Sequence, residues 1–345
     1  MRKVMGWDIG GAHVKAVLLD EGGNVILVQQ IACPLWLGLD QLKTAILTTL
    51  NNVAIKAEQL HHAVTMTGEL VDLFANRHEG VMAIAQYVSA LLGKNALFYC
   101  INEKANAPSF VAVSEVLEKS QWIASANWHA SACLVATILP SALLVDIGST
   151  TTDIIAIDQG KVINLALTDA QRMQQDSLVY TGVVRTPVMA VAQKLTLEGI
   201  ESNVAAEYFA TMSDVYRLTG ELSEAVDMTA TADGEPKTVL ASARRLARMI
   251  GYDVEDRPIE SWQKLAHACR EKQCHQIQLA IKKHMTEDMI IVGVGAGRFL
   301  VEAIAQSLQL RYTSLISILG HVGQEVEICL PAYAVATLYH QMDVA

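Results

Sequence analysis

One motif occurs twice in this chain, and the repetition limits what the chain can fold into. An apolar run from Val4 ends in Asp8-Ile9-Gly10, turns through Gly11 and Ala12, and returns as an apolar run from Val14 to Leu19. In the middle of the chain, Leu143 to Val145 lead into Asp146-Ile147-Gly148, a Ser149-Thr150-Thr151 turn and a second apolar run from Thr152. One copy is an ordinary hairpin. Two copies predict a duplicated α/β domain with a cleft between the halves. In that cleft the two glycine turns and two aspartates would meet a phosphorylated ligand and its metal.

The residue types support this chemistry. Gly10 and Gly148 allow a tight turn and a close backbone approach to a ligand. Successive N–H groups in such a turn make an anion-binding nest. Ser149, Thr150 and Thr151 add hydroxyl donors. Asp8 and Asp146 stand at strand ends, where carboxylates hold Mg²⁺ directly or through water beside phosphate oxygens. Neither aspartate is expected in the apolar core.

The chain has 345 residues, enough for two cores. Hydrophobic residues make up 52% and charged residues 18%, which excludes a disordered chain. A net charge of −10 without a Lys/Arg run argues against a nucleic-acid surface. The first residues run straight into a strand, so no signal peptide is expected. No run of about 20 apolar residues predicts a membrane span. Six cysteines without a CxxC pair fit reduced thiols in the cytoplasm. His267, Cys269, Cys274 and His275 have zinc-ligand types, but their spacing equally fits a helix burying small thiols.

The pattern divides the chain at residue 140. Residues 1–140 should form the first domain: strands at 3–9, 14–20 and 24–31, a helix at 39–57, a strand at 63–66, helices at 69–76 and 79–92, a strand at 96–100 and a helix at 121–138. Residues 141–330 should form the second, with strands at 142–147, 152–157 and 161–167, a largely helical insertion at 201–285, a strand at 289–292 and a helix at 298–308. A last helix, 331–345, should pack back on the first domain.

A third glycine-rich segment, Gly293-x-Gly295-x-Gly297 followed by Arg298, lies between a strand and a helix. Its spacing is not the dinucleotide fingerprint. It suits either a nucleotide or substrate body lying on bare backbone, or close helix–strand packing. Other candidates also carry two readings. Lys15 neutralises phosphate charge or is a strand-edge lysine. Glu69 accepts a proton or caps a helix N-terminus. Arg185 grips a phosphate or carboxylate, or forms a structural ion pair. His13 donates to phosphate, serves as acid or base, or is a solvated turn residue. Asp233-Gly234 is a metal or loop-closing element, or a plain turn.

Three segments in this order, Asp8–Lys15, Asp146–Asp153 and Ile290–Leu300, resemble the two phosphate motifs and the adenosine motif of the superfamily of sugar and acetate kinases, heat-shock chaperones and actin. That resemblance implies duplicated ribonuclease H-like domains. A narrower resemblance rests on Gly6–Lys15, Met66–Asp72, Asp146–Asp153, Tyr180–Pro187, Phe209–Tyr216 and Arg244–Met249. These look like the hydantoinase/oxoprolinase-like group tied to tetrahydromethanopterin-linked one-carbon transfer. It implies a transferase of methanofuran- or methylofuran-type cofactor biosynthesis. Such an enzyme condenses an aminomethylfuran diphosphate with a tyrosine- or tyramine-derived phenol, forms an aryl–furfuryl ether and releases diphosphate. The hairpins and Mg²⁺ would then hold the diphosphate. An ATP-dependent kinase or ATPase is the alternative, and a nucleotide-gated chaperone the third. The partners implied are small molecules, with no nucleic acid or membrane and with room for a homodimer.

Overall fold

The computed structural model describes residues 3–102, 106–164, 166–224, 226–320 and 322–344. It divides into two compact units. Unit 1 comprises Met1–Ala142, Ile155–Gln171 and Leu315–Ala345; unit 2 comprises Leu143–Ile154 and Arg172–Ser314.

Unit 1 is built on strands β1 (Val4–Ile9), β2 (His13–Leu19), β3 (Val25–Ala32), β4 (His61–Met66), β5 (Ala96–Asn102) and β6 (Ala107–Val111), ordered β3-β2-β1-β4-β5-β6. β1, β2 and β3 form an antiparallel meander, β4 runs parallel to β1 and to β5, and β6 closes the edge antiparallel to β5. Every residue of β1 is buried, as a central strand requires. Met5, Trp7 and Ile9 join the core beside Leu42, Ala45 and Ile46 of helix α1 (Leu39–Val53) and Val81, Ile84 and Val88 of α2 (Arg77–Leu92). These positions recur at helical spacing, so one face of each helix is apolar. The buried indole of Trp7 donates to His62 Nδ1 at 3.1 Å, so the ring's polar edge is satisfied.

Three expected helices differ. The first stops at Val53, because Ala54 turns left-handed with φ 52°. Only a 3₁₀ turn, Gly68–Leu70, replaces the helix expected at 69–76; α2 starts afresh where the Asn76 side chain accepts the Glu79 N–H at 2.9 Å. The helix expected at 121–138 is two helices, α3 (Val116–Ile123) and α4 (Asn127–Ala136). Ala124 bridges to Met66 at the end of β4, and Ser125 is left-handed with φ 50°. Unit 1 is completed by α11 (Leu315–Leu319), α12 (Gln324–Ile328) and α13 (Leu330–Val344), in the numbering that follows unit 2. α13 packs on β1, β2 and β4. Gly6 lies directly under the Ala332 carbonyl, where no Cβ fits.

The second sheet contains β7 (Ala142–Ile147), β8 (Thr152–Asp158), β9 (Lys161–Val162), β10 (Leu178–Val179), β13 (Ile290–Val294) and β14 (Tyr312–Ser314). Its order is β10-β8-β7-β13-β14, with β9 also on β8. The unit boundary passes through β7 and β8, leaving β9 with unit 1. The third strand is thus two residues rather than the expected run to 167. Like the first sheet, this one starts from a hairpin and adds later strands on the side of its first strand, and β13 and β14 are parallel. The duplication visible in the motif is a duplication of sheet topology.

Helix α5 (Asp169–Gln174) precedes β10, and between β10 and β13 the chain forms α6 (Val188–Val191), α7 (Met212–Thr219), α8 (Val239–Arg248) and α9 (Ile259–His284). A hairpin of β11 (Lys194–Leu197) and β12 (Ile200–Asn203) enters the otherwise helical insertion. α10 (Arg298–Ser307) follows β13. Among the described residues, no helix is long and apolar enough to cross a membrane.

Candidate active site

The two hairpin turns close identically. Gly10 N–H donates to the His13 carbonyl at 2.9 Å, and Gly148 N–H donates to the Thr151 carbonyl at 2.9 Å. The same three-residue loop therefore follows each Asp-Ile-Gly.

In unit 1, Asp8 does not lie outside the core, where the sequence led us to expect it. It is 6% exposed. Its cross-strand neighbours are Lys15 on β2 and Thr65 on β4. Asp8 Oδ1 and Thr65 Oγ1 are both buried and find no hydrogen-bond partner among the described residues. Burial pushes the Asp8 carboxyl above its ordinary range, and the Lys15 charge opposes that shift. Among the described residues Lys15 makes no ion pair within 4 Å. Cys329, just before α13, also feels the Lys15 and Asp8 charges. A buried carboxylate oxygen without a donor beside a strand-end turn suits a divalent cation.

Glu69 lies in the 3₁₀ turn after β4, and its neighbour Gly68 abuts the first hairpin: a Cβ there would lie 3.2 Å from the Ile9 carbonyl oxygen and 3.3 Å from that of Gly10. Glu69 is 2% exposed. Its backbone rests on Gly80 of α2, where a Cβ would lie 2.7 Å from the Glu69 carbonyl oxygen. Oε1 accepts from Ser125 Oγ at 2.7 Å, whereas Oε2 is buried without a partner among the described residues. Burial raises its pKa to about 7; the Ser125 hydrogen bond and the Arg77 charge oppose the rise, and the Asp169 charge adds to it. Arg77 and Asp169 form an ion pair at 2.6 Å. Glu69 is thus neither a solvated helix cap nor an ordinary carboxylate. Its pKa suits proton transfer near neutral pH.

In unit 2, residues 180–187 hold the second turn. The N–H groups of Val183, Val184 and Arg185 donate to the carbonyls of Gly148 and Ser149 at 2.8 to 3.1 Å. Gly182 presses on this turn, and a Cβ there would stand 2.5 Å from the Ser149 carbonyl carbon. Thr152 Oγ1 donates to the Thr181 carbonyl at 2.7 Å. Gln273 of α9 donates to Thr181 Oγ1 at 2.8 Å and to the Gly182 carbonyl at 2.9 Å, and its own oxygen accepts from the Tyr216 hydroxyl. The turn thus rests on a buried polar scaffold. Gly148 itself is different: apart from the Thr151 carbonyl oxygen at 3.6 Å, nothing lies within 4 Å of its missing Cβ. The fold therefore leaves room for a close approach to the backbone at Gly148. Ser149, Thr150 and Thr151 surround this space, partly exposed. Arg185 is exposed beside it and makes no ion pair among the described residues, so the structural ion pair is not found.

The third glycine turn is filled by the protein. The carboxylate of Asp146 and the carbonyl of Ile147 occupy the Cβ space of Gly295, whose φ is +83°. Ile147 and Val183 side chains occupy that of Gly297, and Tyr312 and Val301 that of Gly293. Gly297 N–H donates to the Ile147 carbonyl at 2.8 Å, and Arg298 starts α10 beside it. Packing therefore accounts for these glycines, and it brings Asp146 onto the turn. His13 opens β2, and its carbonyl closes the first turn.

The remaining candidates separate cleanly. Cys269 and Cys274 are buried in α9 while His267 and His275 are exposed, so the four do not gather. Among the described residues no group of three His, Cys, Asp or Glu side chains could hold a metal. All six cysteines are free and buried. Asp233 is held by arginines rather than standing in a bare turn. Sequence reasoning missed Ser125, Thr65 and Gln273. For Ser125 a signal existed: Ser125 and Asn127 are capping residue types inside a run read as one helix.

The chain matches the model of the hydantoinase/oxoprolinase family over residues 61–342. It is similar to a (4-{4-[2-(gamma-L-glutamylamino)ethyl]phenoxymethyl}furan-2-yl)methanamine synthase from Methanocaldococcus jannaschii, with 31% identity over 99% of this chain and 98% of that one. The protein of the same name from Methanococcus vannielii is 28% identical over 57% of this chain and 90% of its own. Among solved structures, nucleotide-free acetone carboxylase shares the fold, with a TM-score of 0.57, 11% identity, and coverage of 97% of this chain and 70% of that one.

Proposed function

The chain belongs to the hydantoinase/oxoprolinase family, and on that premise we propose that it is a transferase of methanofuran- or methylofuran-type cofactor biosynthesis. It condenses an aminomethylfuran diphosphate with the phenol of a γ-glutamyltyramine- or tyrosine-like partner. The furfuryl C–O bond to diphosphate breaks, the phenol oxygen bonds to the furfuryl carbon, and diphosphate leaves. Full-length similarity to the archaeal synthase supports this choice of reaction.

The observation that carries the reading on the structural side is Glu69. A phenol ordinarily ionises near pH 10, and a carboxylate with a pKa near 7 is a far better acceptor for its proton than an ordinary glutamate. Glu69 takes the proton directly or through the Ser125 hydroxyl that it already accepts from. Asp8 and Asp146 would hold Mg²⁺, which when bound supplies charge stabilisation for the departing diphosphate. Lys15 offsets phosphate charge as a point cation. Gly148, with Ser149, Thr150 and Thr151, presents backbone and hydroxyl donors to the diphosphate. Arg185, exposed and without an ion pair among the described residues, binds it from beside the turn. His13 contributes from the first turn, as do Gly10 and Gly11.

Because packing accounts for Gly293, Gly295 and Gly297, the reading needs no adenosine against that turn. Free thiols fit a cytoplasmic setting. The test is to supply both substrates with Mg²⁺ and to look for diphosphate and ether in equal amounts. Phosphate release from ATP without ether would favour the kinase or ATPase alternative.

A further inference from the structure

A charged cluster in unit 2 lies outside the machinery described above. Its centre is Arg245 of α8, which is fully buried. Arg245 Nε donates to Asp214 of α7 at 2.9 Å, and Nη1 pairs with Asp233 at 3.0 Å. Asp214 also faces Arg217, which pairs with Asp227 at 2.5 Å, and Lys237 lies 3.4 Å from Asp227. The Arg245–Asp214, Arg245–Asp233 and Arg217–Asp227 pairs are short and largely buried.

The outer part of the cluster is different. Arg244 lies 3.8 Å from Asp233 and 4.0 Å from Glu235, and Arg248 lies 4.0 Å from Asp233. Those separations are ionic but too long for hydrogen bonds. The Arg244 and Arg248 side chains are 39% and 46% exposed, and Arg244 Nε is buried without a hydrogen-bond partner among the described residues. Across the cluster, five cations (Arg217, Lys237, Arg244, Arg245 and Arg248) meet four carboxylates (Asp214, Asp227, Asp233 and Glu235). The surplus is positive in a chain of net charge −10. Beside it opens a cavity of about 340 Å³ lined by Ala230, Thr231, Gly234, Glu235, Pro236 and Lys237. That is the lower end of the size range of small-molecule sites.

We propose that Arg244 and Arg248, with Asp233 and Glu235, bind the α-amino-acid head group of the phenolic substrate. The proposal rests on the reaction assigned above, whose archaeal relative carries a γ-glutamyl group in its name. The head group is a zwitterion. Its carboxylate takes the guanidinium N–H groups that no carboxylate reaches at hydrogen-bonding distance, because guanidinium and carboxylate match as planar partners. Its ammonium takes Asp233 and Glu235. Arg245 fixes Asp233 from below, so the site is preorganised. It is also tied to the second hairpin. Asp214 sits in the first turn of α7, where Met212 N–H donates to the Thr186 carbonyl at 2.8 Å, and Thr186 Oγ1 accepts from Gly182 N–H at 2.8 Å. A salt network of purely structural purpose would have no use for two loosely held, half-exposed guanidiniums.

Calorimetry on the full chain tests this with γ-glutamyltyramine, tyrosine and tyramine, the last lacking the carboxylate. The expected result is that at least one of the two carboxylate-bearing phenols binds at least about tenfold tighter than tyramine. Which of them binds tighter identifies the head group. In Arg244→Gln/Arg248→Gln that advantage disappears while tyramine affinity stays. Equal affinity for all three, or no binding of any, overturns the proposal. So does an unchanged ratio in the variant. If the double variant melts lower than the wild type, Arg248→Gln and Arg248→Lys are compared instead, and lysine must rescue part of the advantage. Ether formation separates this site from the reaction. Ether from tyramine as efficient as from γ-glutamyltyramine keeps the reaction and sinks the site. Carboxylate-dependent binding with no ether from any phenol keeps the site and sinks the reaction.

Discussion

Replacing Glu69 with glutamine should make the protein more stable at pH 8 and inactive at the same time. The carboxyl's pKa rises from 4.5 to about 7 on folding because burial disfavours its charge. A group raised in this way contributes stability that is fully present below the unfolded pKa. That contribution is lost as pH climbs through the folded pKa. Each pKa unit is worth 1.36 kcal/mol, so the whole loss amounts to about 3 kcal/mol and is complete above pH 7. Glutamine cannot ionise. It should therefore match the wild type near pH 4.5 and exceed it by up to about 3 kcal/mol at pH 8. Urea unfolding at the two pH values, followed by tryptophan fluorescence with a chelator present, measures this. Trp7, Trp36, Trp122 and Trp128 all belong to unit 1 with Glu69, so the signal reports mainly that unit. Turnover should fall by about 10²- to 10⁴-fold, the usual loss for a general base. A variant less stable than wild type at pH 8, or a gain independent of pH, would show that Glu69 is held as an ordinary ionised structural carboxylate.

Asp8→Asn should lower turnover by at least about tenfold, roughly 1.4 kcal/mol in barrier, without lowering the melting temperature measured in chelator, since it removes a buried charge with an unpartnered oxygen. Ser125→Ala removes a hydrogen bond that lowers the Glu69 pKa, so the acid limb of the pH–rate profile should move to higher pH; a profile that stays in place refutes the pairing. Two glycine variants should split. Gly148→Ala should fold normally yet weaken binding of inorganic diphosphate, while Gly182→Ala, whose Cβ would strike the Ser149–Thr150 backbone, should cost about 1–3 kcal/mol of stability. Titration calorimetry and urea unfolding read the two effects, and equal behaviour of the variants contradicts the assignment.

The paired hairpins were legible because three signals coincide in each: an apolar run, an aspartate at its end and a glycine turn. Strand and helix positions followed wherever periodicity ran uninterrupted, as in α2 and β13. It failed at Ser125, where the capping residue types Ser125 and Asn127 were the only local sign of a break; the break is enforced by pairing of Ala124 with Met66, a contact between distant segments. The burial of Asp8 was equally hidden. Its strand-end position suggested a place outside the core, but α13, supplied by residues 330–344, packs on β1 and the neighbouring strands. The third glycine turn shows the converse. Its spacing left a ligand and close packing both open, and the Cβ space of the three glycines is taken by Asp146, Ile147, Val183, Val301 and Tyr312, residues that only the fold brings there. Gln273 could not have been singled out, since its role depends on Thr181 and Gly182 lying beside α9.

The central claim is that the chain forms an aryl–furfuryl ether at the expense of a diphosphate ester. The direct measurement incubates purified protein and Mg²⁺ with aminomethylfuran diphosphate and γ-glutamyltyramine, in parallel with ATP, and follows diphosphate, phosphate and product mass together. The account predicts one diphosphate released per ether formed, dependence on Glu69, and no consumption of ATP. ATP hydrolysis or phosphoryl transfer with no ether would contradict it.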